Sequence, residues 1–239
     1  GHRKRTTMNT TARYWAIVPA AGIGARFASE IPKQYAPMAG ATVLQHALRP
    51  LFLHPKLHAV VVALASNDTY FSELELVKHG TQLDTVEGGN SRAQSVLNAL
   101  QLLQSKAKQN DFILVHDGAR PCLQISEIND LLAACEDDAV GAILALPMND
   151  TVKRVSEHKI IETVDRSTLW RAVTPQIFRF GVLFDALTAA LESNFEVTDE
   201  ASAVERTGLA VNIVEAKASN IKITRQQDVS IAESLLALE

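Results

Sequence analysis

Three short stretches of this chain set permanent charge beside residues too small to screen their own backbone. Residues 18–35 read VPAAGIGARFASEIPKQY. Here Ala20, Ala21, Gly22 and Gly24 would let successive backbone N–H groups approach an anion, and Arg26 and Lys33 add two fixed positive charges. The stretch fits a polyphosphate grip, but of neither common pattern. Phe27 stands where the dinucleotide pattern G-x-G-x-x-G needs its last glycine and where a Walker loop needs its second. Residues 87–95, EGGNSRAQS, repeat the theme: Gly88 and Gly89 permit close approach, and Asn90 and Ser95 offer groups that could read a base edge. Residues 115–121, VHDGARP, place Asp117 where a carboxylate could hold Mg²⁺ against phosphates, and Arg120 where a planar fork could clamp an anion. Two later stretches carry less. In VTDEAS, Thr198 or Asp199 caps a helix, and in NIKIT, Lys222 stands on the solvent side of a strand. No serine elbow, Cys/His pair or paired carboxylates stand out, so covalent catalysis and two-carboxylate acid–base chemistry have no carrier.

Elements that could position these loops follow from the hydrophobic pattern. Short runs rich in Val, Ile and Leu at 14–19, 58–65, 83–86, 112–116 and 140–146 predict buried strands. Helical spacing at 42–53, 69–78, 91–106 and 126–136 falls between them. The third helix is the clearest, with Ala93, Val96, Leu97, Leu100 and Leu103 on one face and Ser91 with Gln94 as a capping box. Such alternation predicts an α/β fold: a Rossmann-like, mostly parallel sheet with helices on both faces. Each charged loop then follows a strand, at the sheet edge where ligands collect. Beyond Pro147 the rhythm changes. Alternation at 151–155 and 159–164 around the polar turn 156–158 predicts a hairpin. It has too little apolar surface to stand alone and is expected to pack on something else, a second copy of the chain being one candidate. A helix at 181–193, a short one at 199–206, a strand pair at 211–215 and 221–224 and a C-terminal helix complete the expectation. Residues 1–13 read as a disordered or expression-derived tail, with Met8 a possible natural start. Residues 14–239 read as one domain with a β-arm inserted at about 148–171.

Composition narrows the function. A net charge of −4 gives no basic footprint for nucleic acid, and no apolar run approaches a bilayer span. Two isolated cysteines, Cys122 and Cys135, support neither a zinc site nor a disulfide framework, and the expected setting is cytoplasmic. A nicotinamide dehydrogenase is excluded by the missing glycine and by ALAS (63–66), which ends the second strand without an acid.

Taken in order, PAAGIGAR…PKQY, GGNSRAQSV, HDGARP, DTVKR, TVDR, TPQ, TDEAS and NIKIT resemble the 2-C-methyl-D-erythritol 4-phosphate cytidylyltransferase family. The resemblance runs from about Ala16 to the C-terminal helix. It implies transfer of CMP from CTP to methylerythritol phosphate with loss of pyrophosphate, in the non-mevalonate isoprenoid pathway. It also implies a divalent metal, Mg²⁺, and a homodimer clasped by the arm. By the same resemblance, Ala20, Ala21, Gly22, Gly24, Arg26 and Lys33 hold the CTP phosphates; Gly89, Asn90 and Ser95 face the cytosine; Gly118 lies near the nucleotide. Asp117 is implied at the metal, with Arg26, Lys33 and Lys222 as catalytic cations. Arg120, Thr174, Thr198, Asp199 and Lys222 line the acceptor site, which Thr151 and Arg166 reach from the partner's arm. Asn90 departs from the Asp or Ala expected after the double glycine, though its amide can still bond a base. A ribitol 5-phosphate cytidylyltransferase shares this plan, and AAGIG with the DTVKR…TVDR arm favours the erythritol enzyme. A silent nucleotide-binding module would not need Arg26, Lys33, Asp117 and Lys222 together.

Overall fold

The computed structural model describes residues 11–22 and 31–238. Its main sheet grows outward from β1 (Tyr14–Ala20). The chain first moves to one side. A small hairpin of β2 (Pro37–Met38) and β3 (Ala41–Thr42) leads into α1 (Val43–Leu53), which crosses to β4 (Leu57–Leu64), followed by β5 (Gln82–Glu87). Helix α2 (Arg92–Leu103) then returns the chain past β1 to β6 (Phe112–Val115) on the other side. These four strands are parallel. Helix α3 (Ile125–Cys135) leads to β7 (Gly141–Pro147), also part of the sheet.

Burial on both faces explains why the strands read as near-continuous apolar runs. Along β1, Ala16, Val18 and Ala20 join the core formed with α1 and α3, while Trp15 and Ile17 join the core formed with α2. The two-residue period of a strand decides which face each side chain takes. Each large apolar side chain sequestered here contributes about 1.5–3 kcal/mol.

The arm is a separate two-stranded sheet, β8 (Val152–Ser156) and β9 (Lys159–Val164). Its turn residues Glu157 and His158 have φ of 49° and 62°, the backbone a type I′ hairpin turn needs. The chain re-enters the main sheet as β10 (Trp170–Arg179), antiparallel between β6 and β7. Helices α4 (Phe180–Glu192) and α5 (Glu200–Glu205) cover the α2 face. Strand β11 (Asn212–Glu215) adds parallel to β7 at the edge, and α6 (Gln226–Leu236) packs beside β2. The sheet order is β11-β7-β10-β6-β1-β4-β5, so six of the seven strands run the same way.

Three expectations need correction. Residues 69–78 hold only a 3₁₀ turn at Phe71–Glu73. The Asp68 carboxylate accepts from the N–H groups of Tyr70 and Phe71 and closes a local turn, after which Leu74 and Leu76 pack inward at extended, alternate spacing. Residues 221–224 are not a strand paired with 211–215. Ile223 N–H donates to the Ala119 carbonyl, and β11 pairs with β7 instead. Strand β10 was not anticipated at all, because Pro175 interrupts it. The structure accommodates that proline in a bulge, where Val173, Thr174 and Pro175 lie between the paired positions Ala172 and Gln176. A smaller difference concerns α2. Ser91 Oγ accepts from Gln94 N–H, but the Gln94 amide turns to Asn98, so only half of the capping box forms.

Candidate active site

Strand order reverses at β1, whose neighbours β4 and β6 are reached by crossovers in opposite directions. The carboxyl ends of β1 and β6 therefore open a crevice, the usual ligand position in a doubly wound sheet. A cleft of about 460 Å³ lies there, of a size suited to a nucleotide-class ligand. Its walls come from the stretches predicted to carry chemistry: Ala20 at the end of β1 with Ala21 and Gly22 beyond it, Gly89 and Asn90 after β5 with Ser95 in the first turn of α2, and Asp117 and Gly118 after β6. Lys33 and Lys222 complete it from elements far apart in sequence. Gly24 and Arg26 lie outside the described residues.

Close packing joins the first two loops. A Cβ on Gly88 would fall 2.2 Å from Ala21 Cβ and 2.8 Å from Ser95 Oγ, so any side chain there would push the loops apart. Ser95 is buried, and its hydroxyl donates to the Ser91 carbonyl and accepts from Gly89 N–H at 3.0 Å. It thus shapes the turn that presents Asn90, its one hydroxyl proton already committed.

The floor of the cleft is a charge cluster centred on Asp117. Arg92 donates from Nε and Nη2 to Asp117 Oδ1 at 3.1 and 2.9 Å. Arg120 Nε reaches Oδ2 at 3.2 Å, and Lys222 Nζ stands 3.9 Å from the same oxygen. Burial would raise the Asp117 pKa, but Arg92, Lys222 and Arg120 outweigh it and hold the carboxyl well below the usual range. Asp117 is thus an anion at any working pH. Lys33 is shifted down, first by burial and then by Lys222, with Asp117 opposing. Two ammonium groups brought into one cleft, one of them made less stable as a cation by burial and by the other, favour an anionic ligand between them.

Behind Asp117 a hydrogen-bond chain fixes the loop. Asp117 N–H donates to Thr174 Oγ1, which bonds His116 Nδ1 at 2.9 Å, and His116 Nε2 lies 3.0 Å from the Arg120 carbonyl. A carbonyl only accepts, so Nε2 carries the proton and Nδ1 accepts from the threonine. Burial pushes the His116 pKa down to about 4, in keeping with this neutral ring. The β10 bulge is what brings Thr174 here.

The remaining predicted residues separate into three groups. Thr174 and Arg120 are buried behind the cleft. Arg120 spends two of its donors on Asp117 and the Asn220 carbonyl. Asp199 is the α5 cap: Oδ1 accepts from Ser202 N–H and Oδ2 from Gln176 Nε2, while Thr198 is exposed next to it. Thr151 and Arg166 sit on the exposed arm. Reading the sequence missed Arg92 and Glu200, which bond each other through Arg92 Nη1 and Glu200 Oε2. Arg92 had one signal to offer. It is the first residue of α2, where the helix dipole disfavours a cation, and that anomaly calls for a carboxylate partner.

Among the described residues no group of three or more His, Cys, Asp or Glu side chains could hold a metal. The donor set still fits Mg²⁺, which takes one or two carboxylates and leaves its other positions to phosphates and water. Asp117 is the residue that could supply that single hard oxygen ligand. No helix among the described residues is long and apolar enough to cross a membrane.

The fold and this cleft are those of a nucleotidyltransferase. The sequence model for 2-C-methyl-D-erythritol 4-phosphate cytidylyltransferase matches residues 14–238, and the chain belongs to that family. A relative of that name from Pseudomonas syringae pv. syringae (strain B728a) is 47% identical over 218 residues, covering 90% of this chain and 92% of its own. A crystal structure of 4-diphosphocytidyl-2C-methyl-D-erythritol synthase superposes with TM-score 0.82 at 37% identity, covering 94% of this chain and 98% of that one. The Francisella tularensis 2-C-methyl-D-erythritol 4-phosphate cytidylyltransferase superposes with TM-score 0.80 at 34% identity, covering 94% and 100%.

Proposed function

We propose that this cleft carries out the family's reaction: CMP passes from CTP to 2-C-methyl-D-erythritol 4-phosphate and pyrophosphate leaves, a step of the non-mevalonate isoprenoid pathway. The observation that carries this reading is the convergence of Lys33, Lys222 and Asp117 with two small-residue loops at one switch point. The reaction needs little else. The acceptor's phosphate monoester is already anionic near neutral pH, so it can attack the α-phosphorus of CTP without a general base. One P–O bond forms, the α–β bridging bond breaks, and its electrons leave on pyrophosphate. What the protein contributes is alignment and cancellation of charge among crowded phosphates.

The roles then follow from position. Ala20, Ala21, Gly22 and, in the undescribed segment, Gly24 and Arg26 hold the triphosphate. Gly89 and Asn90 face the base, on a turn locked by Ser95, and Gly118 flanks the nucleotide. Lys33 and Lys222 neutralise charge as it moves to the leaving group. Asp117 would hold Mg²⁺, which supplies Lewis-acid neutralisation of the phosphates when bound. Thr174 and Arg120 keep the Asp117 loop in place, and Thr198 and Asp199 border the acceptor. Thr151 and Arg166 serve a partner's site, in a homodimer built through the arm. Val155, Ile160 and Ile161 are each more than half exposed on that arm, an apolar surface a second subunit would cover. The two cysteines, both buried in different core clusters, suit a cytoplasmic protein.

Pyrophosphate release from CTP with Mg²⁺, comparing methylerythritol phosphate with ribitol 5-phosphate, tests the reading. Preferential turnover of methylerythritol phosphate is expected. Preference for ribitol 5-phosphate would overturn the acceptor assignment, and no release with either would leave a nucleotide-binding module.

A further inference from the structure

The Asp117 carboxylate is unusual for a single metal ligand, because three cations already surround it. Arg92 grips one oxygen with two donors; Arg120 and Lys222 approach the other. A cation held that firmly against a ligand oxygen competes with any metal, unless its own charge is balanced elsewhere. Glu200 is the balance. It is fully buried at the start of α5, and its Oε2 takes the third corner of the same Arg92 guanidinium. Its other oxygen, Oε1, is buried with no hydrogen-bond partner. Such an arrangement costs stability. Helix capping does not explain it, since Asp199 already caps α5.

We infer that Glu200 is a positioning residue for the transfer: by sharing the Arg92 guanidinium with Asp117, it sets both the orientation and the effective charge of the ligand carboxylate. This rests on the reading of Asp117 as the site of the divalent cation. Without Glu200, the whole Arg92 charge falls on Asp117 and metal affinity drops. Without Arg92, Asp117 is freed from its fork, so metal affinity rises while the carboxylate loses its fixed orientation. A residue present only to fill the core predicts no such opposition of signs.

The experiment uses Mn²⁺ as the probe, titrated into full-length protein saturated with CTP and followed by electron paramagnetic resonance. Glu200→Gln keeps the shape and an acceptor for Arg92 but loses the charge. It is expected to bind Mn²⁺ at least fivefold more weakly. Arg92→Gln is expected to bind it at least threefold more tightly, yet to turn over at least tenfold more slowly with KM for CTP within threefold. Circular dichroism melting checks that each variant is folded; should one fail, the sign shown by the other decides. Affinities within twofold of the unmodified chain, or shifts in the same direction for both variants, overturn the inference. The binding arm needs no acceptor. If the unmodified chain binds Mn²⁺ with CTP but releases no pyrophosphate, the functional reading fails while the role of Glu200 is still decided.

Discussion

Among the described residues arginine meets glutamate in two places, and the surroundings could hardly differ more. In the cleft, Arg92 joins a fully buried Glu200 and the nearly buried Asp117. On the arm, Arg154 meets Glu162 at 2.7 Å across two strands, with side chains 59% and 53% exposed. The first pair lies in low dielectric, where losing a partner strands a charge; the second lies in water, which replaces a lost partner at little cost. The contrast extends to the regions themselves. Cleft residues are held by their own chain, as the route from Asp117 through Thr174 and His116 to Arg120 shows. Thr151 and Arg166 on the arm are exposed. If they have a catalytic role, a second subunit must supply its frame.

Removing a cleft cation should therefore have the largest effect. Lys33→Ala is expected to lower kcat by about 100-fold or more, the scale set by losing one preorganised electrostatic stabiliser. Its melting temperature should stay within about 3 °C of the unmodified chain, since the side chain is only partly buried. Steady-state kinetics with a melting curve checks both, and near-normal turnover would remove the cleft from the mechanism.

The arm makes a different kind of prediction, in which two inactive proteins give an active one. In the proposed homodimer Arg166→Ala would damage the site served by its own arm, on the partner, and Lys33→Ala would damage the site on its own subunit. In a mixed dimer one site carries both lesions and the other carries neither. With free subunit exchange, half the dimers are mixed, so about a quarter of all sites should be intact. Mixing the two variants and measuring pyrophosphate release over time tests this. A mixture no more active than its components would mean that the arm serves its own subunit or none.

How legible all this was in the sequence depends on what each residue answers to. The parallel strands and α2 could be read because burial on both faces, or on one helix face, forces a periodic pattern. Asp117 and Gly89 could be placed because they sit in loops just after such strands. Residues 69–78 misled because Asp68 side-chain bonds win over an apolar spacing that also suits extended packing. Strand β10 was hidden by Pro175, whose compatibility with the sheet depends on a bulge that only the pairing with β7 reveals. Glu200 was hidden for another reason. An acid in the first turn of a helix is ordinary, and only the fold shows that this one is buried beside Arg92.

The hydrogen-bonded loop behind Asp117 should show itself in the pH dependence of stability. His116 is neutral in the folded protein with a pKa of about 4, against an ordinary value of 6.5. Below pH 6.5 the unfolded chain takes up a proton that the folded chain refuses, so stability is lost as pH falls from 6.5 to about 4 and levels off below. The loss is on the order of 3 kcal/mol. Asp117 acts in the same direction, but only below its unfolded value of 3.8. Denaturant titrations of the metal-free protein at a series of pH values should show the loss in the unmodified chain. In His116→Gln, which keeps a donor for the Arg120 carbonyl, that part of the pH dependence should vanish. An unchanged slope would mean that His116 charges in the folded state.

The smallest effect belongs to the exposed pair. Glu162→Gln leaves Arg154 in solvent, with water to satisfy it, and the β8–β9 ladder does not depend on the side-chain contact. The expected change in stability is about 0.5 kcal/mol or less, shrinking further in added salt. Denaturant melts at low and high ionic strength measure it directly. A loss of several kcal/mol, insensitive to salt, would place this pair in a dry environment, which the lone subunit does not provide. The arm would then be buried against another chain even where Arg154 and Glu162 meet, and the distinction between a self-supported cleft and a partner-supported arm would have to be drawn at the base of the hairpin.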